Sequence, residues 1–139
     1  GMLKAELETL IKIKKLTNSV HLINNIPQSQ LPDWYRSADV YCMPSLNEPF
    51  GIALVEAMAC GVPPIATQTQ GPSQIILDNE TGVLLPPEDS NAFSNKILEL
   101  LKNPGKRQQM GQKAAADVAQ KYAYQEEKIA ALYRKILGV

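Results

Sequence analysis

No excess of either charge marks this chain. Its fourteen Lys and Arg balance fourteen Asp and Glu, so the electrostatic drive toward a phosphate backbone is missing and nucleic acid is not an expected partner. No apolar run reaches the roughly eighteen residues of a membrane-spanning helix. The amino end is charged and amphipathic, unlike a signal peptide. Cysteine is scarce. Cys42 and Cys60 stand in the apolar runs Val40-Tyr41-Cys42-Met43 and Ala57-Met58-Ala59-Cys60 without a CxxC or Cys/His neighbourhood, so both are expected as small buried hydrophobes and neither as metal ligand nor nucleophile. A reducing cytoplasm is the expected location. His21 is the sole histidine; inside a short apolar run it reads as a packing or edge residue and receives no role. The absence of GxGxxG and of a phospho-acceptor acidic cluster disfavours a nucleotide-binding dehydrogenase and a response-regulator-like layer. No internal repeat occurs.

What remains is an ordinary globular composition, 45% hydrophobic and 20% charged over 139 residues, which fits a single domain over 1–139 and is too short for a two-domain enzyme. Gly1 before Met2 has the look of a remnant of tag removal.

Leu3, Leu7, Leu10, Ile11, Ile13 and Leu16 recur at near-helical spacing among Lys and Glu, predicting a first helix that Thr17-Asn18-Ser19 stops. Val20 to Asn24 is expected as a buried strand and 29–37 as a short helix carrying Leu31, Trp34 and Tyr35 on one face. Strands are then expected at 39–44, 63–67 and 83–85. Helices are expected at 52–60, ended by Gly61 in left-handed geometry, and at 71–77, with a turn at Asn79-Glu80-Thr81-Gly82. From Ser90 the chain reads as a helical tail over 90–137, in segments near 91–102, 104–121 and 125–137. Strands alternating with helices predict a doubly wound α/β layer with a parallel sheet, its ligand beyond the carboxyl ends of the strands.

The chemistry concentrates between Pro44 and Gly61. Gly51 stands where a strand gives way to a helix, so unpaired amides near Phe50 to Ala53 can face an anion or a sugar hydroxyl, and the missing side chain lets a ligand approach the backbone. Glu48 precedes the helix and Glu56 lies within it, with seven residues between them. Two carboxylates so placed can bracket one elongated ligand and accept hydrogen bonds from vicinal hydroxyls, as a sugar and a ribose present. The bland alternatives are an acidic residue favoured at a helix start for Glu48 and a solvated position for Glu56. Glu56 sits among Ala53, Leu54, Val55, Ala57, Met58 and Ala59, on a helix expected to be buried nearly all round, and a buried carboxylate needs a partner.

The segment EPFGIALVEAMACGVP, with Glu48 and Glu56 in register, resembles the paired-glutamate signature of the retaining GT-B glycosyltransferases. The flanks QLPDWYRSADVYCMPS, PPIAT, GPSQII, NETGVLLPPED and the helical tail extend the resemblance over almost the whole chain. It implies a Rossmann-like, carboxyl-terminal donor-binding domain truncated at its amino-terminal side, with transfer of a sugar from a nucleotide-diphospho-sugar to an acceptor hydroxyl with retention. Glu48 would hold donor-sugar hydroxyls, the amides of Phe50, Gly51, Ile52 and Ala53 the sugar and diphosphate, and Glu56 the ribose. Asn25 to Gln28 and Met43 to Ser45 would lie near the base. No metal and no cofactor beyond the donor substrate is implied.

Two departures from the family's pattern qualify this. Gln74 stands where many relatives carry a glutamate, and the turn Glu48-Pro49-Phe50-Gly51 with Gly71-Pro72 leans toward the sucrose-phosphate-synthase branch. The strands that supply the family's glycine-rich turn and diphosphate-gripping Arg and Lys are missing, as is the amino-terminal acceptor domain. Lys12, Lys14 and Lys15 read as a solvated helix face and do not replace those cations, and Lys102, Lys106 and Arg107 read as solvated. The isolated chain is therefore expected to be catalytically incomplete; the alternative is a truncated, non-catalytic binding or assembly module. Strand 20–24, having lost its usual neighbours, is expected either beside 39–44 in a four-stranded sheet or to leave an edge through which chains pair as a homo-oligomer.

Overall fold

The computed structural model describes the backbone of residues 3–137 and the side chains of residues 3–122. It divides into two compact units, residues 1–31 and 32–139.

The first unit holds helix α1 (Lys4–Ile13) and a 3-10 turn (Gln28–Gln30). α1 ends before Thr17. Lys15 adopts φ 55°, its amide donates to Lys12 O (3.0 Å), and the Leu16 amide reaches back to Ile11 O (2.9 Å), the paired bonds of a left-handed helix end. The expected strand at 20–24 does not form. The Val20 amide is consumed by Leu16 O at 2.9 Å, and residues 20–27 run without a ladder. A strand exists only through hydrogen bonds to a neighbour, and an apolar run alone does not supply one. Leu3, Leu7, Leu10, Ile13 and Leu16 are all exposed.

The second unit carries the sheet. Helix α2 (Leu31–Arg36), which begins at the boundary, leads to strand β1 (Tyr41–Met43), helix α3 (Ile52–Ala59), strand β2 (Pro64–Thr67), helix α4 (Gln70–Ile75) and strand β3 (Val83–Leu85). Helices α5 (Ser90–Lys102) and α6 (Pro104–Leu137) follow. The sheet has three parallel strands in the order β1-β2-β3, in place of the four expected. Cys42 pairs with Ile65 and Ile65 with Val83, so β2 is central and every one of its residues is buried. Pro64 tolerates this position because it opens the strand, where a missing N–H costs no ladder bond.

Successive side chains alternate between two faces. Met43, Ala66 and the flanking Tyr41 and Leu84 pack with Leu54 and Met58 of α3, Ile75 of α4, and Ala114 and Val118 of α6. Ile65 and Val83, with Leu85, pack on the other side with Phe93 and Leu100 of α5 and Met110 of α6. Both faces are thus covered, as a parallel sheet requires. Neither cysteine is the buried hydrophobe expected: Cys42 is exposed on the edge strand and Cys60, at the end of α3, is only partly buried.

Local chemistry sets the boundaries. Asp89 caps α5 by accepting from the Ala92 amide at 2.8 Å. Arg107, expected to be solvated, donates to Leu100 O and Leu101 O (3.0 and 3.1 Å) at the end of α5 and pairs with Asp39 at 2.8 Å. Lys106 is likewise engaged, with Glu99 at 2.6 Å. The two helices expected after Pro104 form one, α6, whose backbone is helical to Leu137. The apolar face expected from Ala130, Leu132, Tyr133, Ile136 and Leu137 lies outside the described side chains.

Candidate functional site

β1 delivers its chain into a loop, Pro44 to Gly51, that is pinned from two sides before α3 begins. The buried Thr67 hydroxyl at the end of β2 donates to Ser45 O and lies 3.4 Å from Met43 O. The Gly71 amide at the start of α4 donates to Glu48 O at 2.8 Å. Gly71 is required here by crowding, since a Cβ would lie 2.1 Å from Phe50 O. Gly51 is required for another reason. Its φ of 102° is left-handed, while a Cβ would meet nothing closer than 3.4 Å, so backbone conformation and not space selects glycine.

From that turn α3 starts with no side chain capping it. The first bonds back to Gly51 O come from Leu54 and Val55 (3.0 and 3.1 Å), so the amides of Ile52 and Ala53 are left at the helix end, the polarity that accepts anions and hydroxyls. Ile52 is 68% exposed and Phe50 45%, while Gly51 is buried. The Phe50 amide donates to Glu48 Oε1 at 3.3 Å, so Glu48 folds back over the loop that carries it. The Phe50 ring stands edge-on to Tyr122 of α6, centroids 6.4 Å apart.

Glu56 lies one face further along α3. The helix is not buried all round: Leu54, Ala57 and Met58 are buried, Ile52 and Ala59 exposed, and Glu56 partly buried. Its partner is a residue to which the sequence assigned only packing. The Tyr35 hydroxyl donates to Glu56 Oε2 at 3.0 Å, and the Tyr35 ring meets Tyr41 edge-on at 5.9 Å. Burial pushes the Tyr35 phenol well up, and the bond to Glu56 adds to the shift. Burial also raises Tyr41, with further contributions from the negative charges of Glu48 and Glu56. No spacing in the sequence signals the Tyr35–Glu56 pair, because the two stand on different helices and meet only on folding. Trp34, expected on the same packed face, is 47% exposed.

The loop and α3 thus bring Glu48, Phe50, Gly51, Ile52, Ala53 and Glu56 into one continuous segment. Asn25, expected near the same ligand, has φ 55° and belongs to the first unit. A concavity of the sheet unit, about 420 Å³, is lined by Cys42, Pro44, Leu46, Thr67, Asp89 and Phe93 among others, and by none of Glu48, Phe50, Gly51, Ile52, Ala53 and Glu56. Its surface is largely apolar, with Glu88 and Ser90 also on the lining and Asp89 capping α5 through one carboxylate oxygen.

The family profile described as "Glycosyl transferases group 1" matches residues 1–117. The chain belongs to the group 1 glycosyltransferases. A D-inositol 3-phosphate glycosyltransferase of Kribbella flavida is 35% identical over 121 residues, covering 87% of this chain and 28% of that protein. Among solved structures, a sucrose-phosphate synthase from Thermosynechococcus elongatus superposes with a TM-score of 0.89 at 31% identity, over 99% of this chain and 35% of that one. The Anabaena HepE protein in complex with UDP-glucose superposes with a TM-score of 0.85 at 25% identity, over 94% of this group 1 chain and 36% of that one. These likenesses assign the layer to the carboxyl-terminal, Rossmann-like domain of the GT-B fold. This group 1 chain spans 28% of the Kribbella relative's length. Among the described residues no helix is long and apolar enough to cross a membrane.

Proposed function

We propose that this chain is the sugar-and-ribose half of a donor site in a retaining glycosyltransferase that moves a sugar from a nucleotide-diphospho-sugar to an acceptor hydroxyl. The observation that carries the reading is the uncapped start of α3 behind the left-handed Gly51, flanked by Glu48 before it and Glu56 within it. Glu48 accepts hydrogen bonds from the donor sugar and positions it. The amides of Gly51, Ile52 and Ala53 stabilise charge on the departing diphosphate, where a fixed dipole acts without reorganising, while the Phe50 amide is held by Glu48. Glu56 accepts from the ribose hydroxyls. Binding needs no metal, because hydroxyls and amides satisfy these groups directly.

A further amino-terminal acceptor domain, and cations for the diphosphate, complete the catalyst; the isolated chain binds donor weakly and turns it over poorly. Titration calorimetry of the 139-residue chain with nucleotide sugars, UDP-glucose first, tests the reading. Binding that Glu56→Ala abolishes is expected. No heat at millimolar ligand would instead favour a non-catalytic binding or assembly module.

A further inference from the structure

The geometry points to Tyr35 as a positioning residue: its hydroxyl fixes the carboxylate plane of Glu56 so that the other oxygen faces the ligand's vicinal diol. The inference rests on the ribose reading of Glu56 and extends it to a residue outside the paired-glutamate segment.

A glutamate on a helix has a freely rotating terminal torsion, and a carboxylate that accepts from two neighbouring hydroxyls must hold one orientation. Glu56 has one side-chain hydrogen-bond partner among the described residues, Tyr35 at 3.0 Å to Oε2. A phenol has a single proton to give, so donation to Oε2 leaves Oε1 free as an acceptor. Tyr35 is itself held. Its ring stands edge-on to Tyr41 at 5.9 Å, and Tyr41 is the first residue of the edge strand whose far end leads into the Glu48 loop. The bond joins α2 to α3 across twenty-one positions of sequence, so the carboxylate is oriented from outside its own helix. Packing alone would be served equally by phenylalanine. The hydroxyl is the part that packing does not require.

The test uses the full chain and four proteins: wild type, Tyr35→Phe, Glu56→Ala and the double variant. Affinities for UDP and for 2′,3′-dideoxy-UDP are measured by calorimetry, and thermal unfolding is followed for each. The expected result is that Tyr35→Phe weakens UDP about tenfold, the loss of one charge-assisted hydrogen bond's orienting effect. Its affinity for the dideoxy analogue should stay unchanged, and the double variant should be no worse than Glu56→Ala. Equal weakening of both ligands would make Tyr35 a packing residue and overturn the inference. So would an undiminished ribose preference in Tyr35→Phe while Glu56→Ala abolishes it; the ribose reading would then survive alone. A wild type that binds neither nucleotide, or a Glu56→Ala that keeps the preference, would overturn the ribose reading and the inference together.

Discussion

Two short apolar stretches of this chain, 20–24 and 64–67, carry the same kind of sequence signal and meet different ends. Pro64–Thr67 becomes the central strand, with neighbours on both sides and every residue buried. Val20 to Asn24 runs without a ladder, and the Val20 amide bonds back to Leu16 O. The helices beside them differ likewise. α3 buries Leu54, Ala57 and Met58, whereas no residue of α1 is buried. Apolar residues are a requirement for an element and not its cause; the cause is a partner surface that takes the buried face and pairs the backbone.

The contrast can be broken most directly by removing one leucine from each helix. Leu54→Ala, at a fully buried position, should cost about 2–5 kcal/mol, while Leu7→Ala at 44% exposure should cost less than about 0.5 kcal/mol. Chemical denaturation of both variants checks this, and equal losses would mean that the helix faces are not as different as their exposures.

The helix ends sharpen the comparison. α3 ends on Gly61 at φ 77°, with the Gly61 amide on Met58 O (2.9 Å) and the Val62 amide on Ala57 O (3.1 Å). α1 ends with the same pair of bonds around Lys15 at φ 55°, a conformation that costs a side-chain-bearing residue about 1–2 kcal/mol. Gly61→Ala should therefore destabilise by about 1 kcal/mol, and Lys15→Gly should increase protection of the α1 amides in hydrogen exchange. The smallest expected effect belongs to Glu99, held low by hydrogen bonds from Lys106 and Lys96, with a pKa of about 2. Its folded pKa lies below the ordinary carboxylate value near 4.3. The contribution is therefore complete above that value and lost as pH falls through about 2. The difference in Tm between wild type and Glu99→Gln should be small, because the pair is exposed, and should vanish between those limits.

Much of the sheet unit was legible. The strand cores, Gly61 as a left-handed stop and the break before Pro104 all rest on local rules that the structure obeys. Lys15 escaped because a left-handed lysine leaves no compositional trace. Arg107 escaped because its partners, Asp39 and the carbonyls ending α5, are brought to it only by folding. In the candidate site, Glu48, Gly51 and Glu56 stand in one continuous segment, and it is the resemblance of that whole segment to the family's signature, not their spacing alone, that singles them out. Tyr35, on a different helix, lies outside that segment.

The sequence by itself determined the α/β alternation, the glycine at the entrance to α3 and the family, because each depends on residues close along the chain. Only the tertiary structure decided that 20–24 has no ladder, that Cys42 is exposed, that Gly71 must be small beneath Phe50, and that the Glu56 carboxylate has a phenol for a partner. Those outcomes depend on which surfaces meet, and hydrogen bonds and close packing are settled at contact, where spacing along the chain carries no information.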